Sequence, residues 1–222
     1  MQLSSTIPVG CGMGSSAATI VGVMRALSDY LHLQVAADTL LQLARDTENA
    51  QHGRTSGIDI QMASVGGCQY FAEGHMAARP LPAIPMYLIN TGKPESSTGE
   101  CVVTAASHFA KSHLVDEFAA VTSKMDQAFQ QQNWQAVKPF IQENHQLLRQ
   151  IGVVPAPVSS FIHAIEQQGG AAKICGAGAA FGDKAGMVWA IADDEAHLAA
   201  ICRQFNYPLL AIQGEARGAH AV

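Results

Sequence analysis

The sequence lacks the features of several common classes of protein. Its 222 residues carry a formal net charge of -5 and no cluster of lysine or arginine, which argues against binding to nucleic acid or to an anionic membrane. It has no apolar run near the ~20 residues of a membrane-spanning helix, and it has no signal peptide. We therefore expect a cytoplasmic protein whose partners include neither nucleic acid nor membrane.

The cysteine pattern argues against a disulfide framework and against a zinc site. The five cysteines are odd in number, widely spaced and without a CxxC pair: Cys11, Cys68, Cys101, Cys175 and Cys202. Such cysteines are typical of unpaired thiols in a reducing compartment. His108 and His113 are the only two histidines near ligand spacing, and without further ligands beside them we expect no metal there.

What the sequence does contain is a glycine-rich segment near its start, PVGCGMGSSAA, from Pro8 to Ala18. Its three alternating glycines can adopt positive φ, and Ser15 and Ser16 open a helix whose first N–H groups have no partner within the helix. These donors and the helix dipole favour a phosphate at this point. We interpret the segment as a phosphate-binding loop, and the alternative is a glycine-rich turn capped by Ser15.

Other motifs with a similar composition do not fit the spacing. A dinucleotide-binding fingerprint needs GxGxxG, whereas the spacing here is GxGxG. A Walker loop needs Gly-Lys followed by Ser or Thr, and no lysine occurs between Met1 and Asp46. A nucleophile elbow needs GxSxG, which the segment does not provide.

The first third of the sequence predicts one strand and three helices. The strand precedes the glycine loop, and a long helix that is buried on more than one side follows from Ala17 to Leu31. Asp38 is a good N-cap for a second helix that stops near His52 and Gly53. Ser56, three residues before Asp59, could start a short third helix by mutual capping.

The remaining sequence alternates between strands and helices. The segment from Ala72 to Pro85 is rich in proline, alanine and glycine, and we interpret it as the boundary between two lobes. Strands are predicted over 68–71, 86–90, 172–175, 186–192 and 209–212. Helices are predicted over 102–109, 115–132, 134–151, 155–168 and 195–205. This order indicates an α+β lobe with a split βαβ sheet.

Three polar side chains are candidates for chemistry beside the glycine loop. Ser16 could place its hydroxyl on a nucleotide-bound Mg²⁺, and Glu48 is a second candidate contact to that ion. Asp59 is the candidate catalytic carboxylate. Each also has a structural alternative, namely an ordinary first-turn serine, a solvated acid near a helix end, and a capping acid.

Five segments together resemble the GHMP kinases, a family named for galactokinase, homoserine, mevalonate and phosphomevalonate kinases. PVGCGMGSSAA resembles the family loop PxxxGLGSSAA, and ENAQHGRTSGIDIQMASVGG (48–67) looks like the segment that carries a magnesium-contacting glutamate and the catalytic aspartate. INTGKPESSTGECV (89–102) is similar to a loop that usually reads close to NTxxxRST. ENHQLLRQIGV (143–153) resembles NQxLLxxLGV, and KICGAG (173–178) resembles the start of the third motif, KxxGAG. Of the branches of the family, the mevalonate kinases are the most similar.

The resemblance implies a fold and an activity. The fold is α+β with two lobes: a ribosomal-S5-domain-2-like N-terminal lobe that is truncated, residues 1–84, and a ferredoxin-like GHMP C-terminal lobe, residues 85–222. The activity is transfer of the γ-phosphate of ATP to a hydroxyl, with Mg²⁺ as cofactor and with mevalonate giving 5-phosphomevalonate. The partner is then a small-molecule substrate, and a homodimer stays open.

The same resemblance assigns the site residues. Ser16 and Glu48 would contact Mg²⁺, Asp59 would face the substrate hydroxyl, and Thr98 would help to position the site. The residues that would hold the nucleotide phosphates are Gly10, Gly12, Gly14, Ser15, Ser16 and Ala17, with Gly176, Ala177 and Gly178 on the far wall.

Three departures from the family pattern bear on activity. The first family motif has no counterpart, so we expect an incomplete sheet and a poorly stable chain. Ala179, Ala180 and Phe181 replace glycines of the third motif and are expected to crowd the site. Ser96 stands where the family loop usually has arginine, so a positive charge near phosphate is missing. The alternatives are a related protein that binds nucleotide or a partner without turnover, or another GHMP kinase such as phosphomevalonate kinase.

Overall fold

A computed structural model describes residues 2–53, 55–72, 74–109 and 113–220 of the chain. The chain divides into two compact units. One comprises Met1–Met13 and Pro82–Gln213, and the other Gly14–Leu81 and Gly214–Val222. Among the described residues, no helix is both long enough and apolar enough to cross a membrane.

The strands and helices alternate in the manner of an α+β protein. The strands are β1 (Cys68–Ala72), β2 (His75–Arg79), β3 (Met86–Asn90), β4 (Ala171–Ile174), β5 (Met187–Ile191) and β6 (Leu209–Ile212). The helices are α1 (Ser15–Tyr30), α2 (Ala37–His52), α3 (Ile58–Val65), α4 (Thr98–Phe109), α5 (Leu114–Gln130), α6 (Val137–Gln150), α7 (Ala156–Gln167) and α8 (Glu195–Phe205). A short 3₁₀ turn, Trp134–Ala136, precedes α6.

The first unit is built on a four-stranded antiparallel sheet in the order β4-β5-β3-β6. Strand β3, MYLIN, has four consecutive buried residues because it lies between two other strands. Its Leu88 stands opposite Trp189 of β5 and Leu210 of β6. The main core includes residues of this sheet and of α4 to α8, with Phe161 and Ile174 among its buried members. The strand order confirms the predicted split βαβ sheet and α+β fold class.

The strand predicted at the start of the chain is wrong. Residues 2–14 contain no strand. Ser5 instead accepts a hydrogen bond from the backbone of Ile7 at 3.1 Å, which closes a local turn, and Gly10 and Gly12 have φ of 73° and 78°, which extended backbone does not allow. Cys11 reaches the sheet, where its carbonyl accepts the Met187 N–H at 2.9 Å, and Met13 packs against the cluster that contains Leu88 and Met187.

The second unit consists of α1, α2 and α3 with the hairpin β1–β2. The four buried residues of its core cluster come from the three helices: Ala17, Val21, Ala44 and Ile60. Of the residues predicted to bury α1, Ala17 and Val21 are buried and Val23, on the second predicted face, is half-buried. Leu27 and Leu31 are 44% and 56% exposed, so the burial does not extend to the C-terminal end of the helix. Strand β2 lies within the segment 72–85 that composition alone suggested as a boundary.

Three helix starts differ from the predictions, two of them in the capping residue. Helix α2 begins at Ala37, so Asp38 lies in its first turn and does not cap it. At α3 the cap is Gly57 in the left-handed conformation, and the Ser56 hydroxyl accepts the Ile58 N–H at 3.3 Å. Helix α4 begins at Thr98, four residues before the predicted start, because Ser97 and Glu100 form a reciprocal capping box. The hydrogen bonds from Ser97 also lower the pKa of the Glu100 carboxyl.

Candidate functional site

Helix α1 begins directly after the last of the three alternating glycines. Gly14 is its N-cap, with φ of 62°, and no side chain caps the helix among the described residues. The first hydrogen bond of the helix runs from the Ala18 N–H to the Gly14 carbonyl at 2.9 Å. The N–H groups of Ser15 and Ala17 therefore have no acceptor within the helix, as an anion-binding helix start requires.

Asp59 lies beside this helix start. It stands in the first turn of α3, and a Cβ added to Gly14 would lie 3.5 Å from Asp59 Cγ and 3.7 Å from Oδ2. Within the described residues, the Asp59 carboxylate makes no hydrogen bond and no ion pair. It is thus close to the helix start without capping it, and both its oxygens can accept a hydroxyl.

Ser16 and Glu48 lie on neighbouring faces of α1 and α2. The Ser16 hydroxyl donates to Gln51 Oε1 at 3.3 Å. Gln51 follows Glu48 by three residues, so the two side chains occupy one face of α2. Glu48 is only 6% exposed, and its Oε2 accepts the Thr55 hydroxyl at 3.0 Å.

These oxygens fit a nucleotide-bound Mg²⁺ better than a protein-only metal site. No group of three or more His, Cys, Asp or Glu that could hold a metal occurs among the described residues. Mg²⁺ in nucleotide sites takes most of its ligands from phosphates and water, with one or two from protein oxygens. Glu48 is a suitable donor because Thr55 occupies one of its two carboxylate oxygens and leaves the other without a hydrogen bond in the described part of the chain.

The other sequence-predicted site residues lie in the first unit. A cavity of about 320 Å³ there is lined by the segments 10–12, 93–98 and 176–178, together with Ala185. These segments contain six of the residues assigned from the sequence: Gly10, Gly12, Thr98, Gly176, Ala177 and Gly178. Gly14, Ser15, Ser16, Ala17, Glu48 and Asp59 belong to the second unit.

Glycine at positions 12 and 176 allows two backbones to touch. A Cβ on Gly12 would lie 2.9 Å from the Gly176 Cα, and a Cβ on Gly176 would lie 2.7 Å from the Gly12 Cα. Real Cβ atoms do not approach so closely, so either substitution would force the segments apart. These two glycines therefore bring the glycine loop against the third motif, whatever they contribute to ligand binding.

The altered part of the third motif is held away from the cavity. Ala180 donates its N–H to the Ser96 hydroxyl at 2.9 Å. Thr91 is buried, and its hydroxyl accepts the Ala185 N–H at 3.0 Å and donates to the Gly186 carbonyl at 2.8 Å. The residues in place of glycine, 179–181, are not among those lining the cavity, and the Phe181 side chain is 50% exposed. The crowding expected from the sequence is therefore absent from this cavity.

Sequence reasoning missed Lys93, a basic residue in the cavity wall. An added Cβ on Gly10 would lie 3.1 Å from Lys93 Cε and 3.7 Å from Cγ, so the lysine stem runs along the glycine loop. Lys173, which opens the KICGAG segment, is a second lysine in these segments, and burial lowers the pKa of its ammonium group. The sequence feature that could have indicated Lys93 as a site residue is its place in the loop 91–100, three residues before Ser96.

The family model and the curated relatives that this chain matches agree on one family. Residues 1–67 match the family described as GHMP kinases N terminal domain. Mevalonate kinase of Archaeoglobus fulgidus is 33% identical over 181 residues, which are 80% of this chain and 62% of that protein. Mevalonate kinase of Pyrococcus abyssi is 29% identical over 192 residues, 80% of this chain and 56% of that protein.

The fold agrees with these sequence matches. The crystal structure of L. major mevalonate kinase in complex with R-mevalonate has a TM-score of 0.72 and 23% identity, and the match covers 91% of this chain and 66% of that one. At this identity the likeness concerns the fold alone. The chain spans a little over half the length of the curated relatives it matches.

Proposed function

We propose that this chain, which belongs to the GHMP kinase family, transfers the γ-phosphate of ATP to a hydroxyl of a small molecule. The substrate that we propose is mevalonate, giving 5-phosphomevalonate and ADP. The support for this substrate is the name shared by the curated relatives, and the chain covers only part of their length. A reducing, cytoplasmic location is part of the proposal, and it is favoured by the wide spacing of the cysteines without a CxxC pair.

The observation that carries the proposal is the position of Asp59 beside the start of α1. Phosphoryl transfer has a loose transition state, so positioning and neutralisation of charge supply most of the rate. The backbone N–H groups of Ser15 and Ala17, at the start of α1, would donate to phosphate oxygens. The Asp59 carboxylate, next to Gly14, would accept the hydrogen of the attacking hydroxyl and orient its oxygen.

We assign the magnesium contacts to Ser16 and Glu48. Mg²⁺ would supply positive charge to the phosphates as charge shifts during transfer. The Ser16 hydroxyl and the Glu48 carboxylate would fix its place relative to α1. Among the described residues, the buried Glu48 carboxylate accepts only the Thr55 hydroxyl, and it gains from a cation because burial of an uncompensated charge is costly.

The test of activity is a phosphotransfer assay with ATP and Mg²⁺ against mevalonate, phosphomevalonate, galactose and homoserine. It is run on this chain and on any longer in-frame product of the same gene. We expect turnover of mevalonate above the other three acceptors. Turnover of phosphomevalonate instead would replace the substrate, and binding of ATP with no turnover by either product would favour the non-catalytic alternative.

Asp59→Asn tests the assigned mechanism in whichever product is active. We expect kcat to fall by about 100-fold or more with little change in KM, because the amide keeps the shape but loses the charge that orients the hydroxyl. Asp38→Asn is the matched control, since this acid is exposed in the first turn of α2. Equal kcat for wild type and Asp59→Asn would remove Asp59 from the mechanism.

A further inference from the structure

We propose that Lys93 binds an oxyanion group of the ligand, phosphate or carboxylate, in the cavity formed by segments 10–12, 93–98 and 176–178. The proposal rests on the proposed function in that the cavity is taken to hold a kinase substrate. It assigns to Lys93 the positive charge that the sequence comparison found missing at Ser96.

The charge of the cavity wall favours an anion. Lys93 is the only basic residue among those that line it. In the described part of the chain, its ammonium group has no carboxylate within ion-pair distance. Glu95 also belongs to the lining, but its carboxylate packs on Gly182, where an added Cβ would lie 2.9 Å from Glu95 Cδ. The lysine is therefore not neutralised by its neighbour.

A second observation points independently to an anion. The backbone N–H groups of Gly176, Ala177 and Gly178 make no hydrogen bond to any described residue. The flanking groups do, since Cys175 donates to Met187 and Ala179 donates to Val153, each at 2.9 Å. Consecutive unpartnered N–H groups in a turn with positive φ, as at Gly178, are a common anion-binding arrangement.

The position of Lys93 is set by the glycine loop. Its stem lies across Gly10, which has φ of 73° and no side chain in the way. Ser96 cannot take the same role, because its hydroxyl already accepts the Ala180 N–H and lies 3.5 Å from Cys101 Sγ. Ser96 thus holds the segment 93–98 by its hydrogen bond to Ala180, and Lys93 is the side chain that binds the ligand.

Direct binding separates this proposal from the kinase activity. Isothermal titration would measure the affinity of inorganic triphosphate, of ATP with Mg²⁺ and of mevalonate for the wild type and for Lys93→Gln. We expect Lys93→Gln to weaken at least one of these ligands by about 10-fold or more, as for loss of a hydrogen bond to a charged group. If Lys93→Gln loses affinity for triphosphate and ATP alone, the anion that Lys93 binds is a phosphate. If it loses affinity for mevalonate alone, the anion is the mevalonate carboxylate.

Two variants act as controls in the same titrations. Lys93→Arg should restore most of the affinity. Lys184→Gln removes the same charge from a lysine that packs on Gly92 in the same unit but does not line the cavity, and it should bind as the wild type does. Unchanged affinity of Lys93→Gln for all three ligands, equal losses in Lys184→Gln, or no binding of any ligand to the wild type would overturn the proposal. Binding that depends on Lys93 without turnover would leave it standing while the proposed activity failed.

Discussion

Gly178 shows how one missing side chain brings two segments together. It has φ of 73°, and a Cβ at this position would overlap the carbonyl oxygen of Val153. The same carbonyl accepts the N–H of Ala179 at 2.9 Å. The glycine therefore fixes the turn after β4 against the segment between α6 and α7, and so it fixes one wall of the cavity.

Gly178→Ala should destabilise the unit that contains it far more than Gly169→Ala does. Gly169 has nearly the same φ, 75°, but an added Cβ there would meet nothing within 4 Å. The left-handed conformation should lower the free energy of unfolding of both variants by about 1–2 kcal/mol. Overpacking should lower that of Gly178→Ala by about 2 kcal/mol more. Urea unfolding followed by tryptophan fluorescence measures both. Equal midpoints for the two variants would mean that the turn relaxes without cost.

The residues of the candidate site differ in how far the sequence predicts them. Ser16, Glu48 and Asp59 could be named because each lies in a recognisable segment, and their roles stay predictions. Lys93 could not, because its contact with Gly10 joins segments that are distant in the chain and depends on where β3 ends. Ser96 was interpreted as a lost charge, whereas its hydrogen bond to Ala180 depends on the tertiary structure.

At the level of helices and strands, the sequence predicts the bounds of an element best where that element is most deeply buried. The bounds of β3 are as predicted, because a run of apolar residues between polar loops matches a strand with neighbours on both sides. The predicted strand near the start fails, because residues 2–14 contain no strand and the Ile7 N–H donates to the Ser5 hydroxyl instead of to a neighbouring strand. The early start of α4 was readable in principle, since Ser97 and Glu100 have the spacing of a capping box.

Helix α6 carries a buried histidine that should make stability depend on pH. His145 is 1% exposed, and its Nδ1 has no hydrogen-bond partner among the described residues. Burial, with smaller contributions from Arg149 and Lys173, lowers the pKa of His145 to about 4. The pKa in the unfolded chain is higher, so the unfolded state binds a proton that the folded state does not.

We expect this histidine to make the folded state less stable as pH falls from about 6.5 to about 4. Its contribution is fully present above that window, and the loss across it is up to about 3 kcal/mol by linkage. His145→Gln should therefore show a flatter dependence of the free energy of unfolding on pH. His163→Gln, which removes an exposed histidine of α7, should keep the slope of the wild type. The same slope in all three proteins would show that His145 does not titrate with folding.

Across the whole molecule, the two units have cores of very different size. The unit with the four-stranded sheet buries large side chains such as Ile89, Phe161 and Ile162 in one extended cluster. The core cluster of the other unit has four buried residues, two of which are alanines. This second unit also leaves large apolar side chains in water: Leu27, Tyr30, Leu31, Leu33, Leu43 and Val65. Since stability grows with buried apolar area, the second unit should be the weaker of the two.

The two units should therefore unfold at different urea concentrations. Hydrogen exchange read by mass spectrometry should show peptides from Gly14–Leu81 losing protection at lower urea than peptides from Pro82–Gln213. Tryptophan fluorescence offers an independent control, because both tryptophans, Trp134 and Trp189, lie in the second of these segments and should follow only the later transition. A single transition at one urea concentration, seen by both methods, would contradict the prediction. It would mean that the unit containing α1, α2 and α3 is as stable as the unit containing the four-stranded sheet, although its core removes less apolar surface from water.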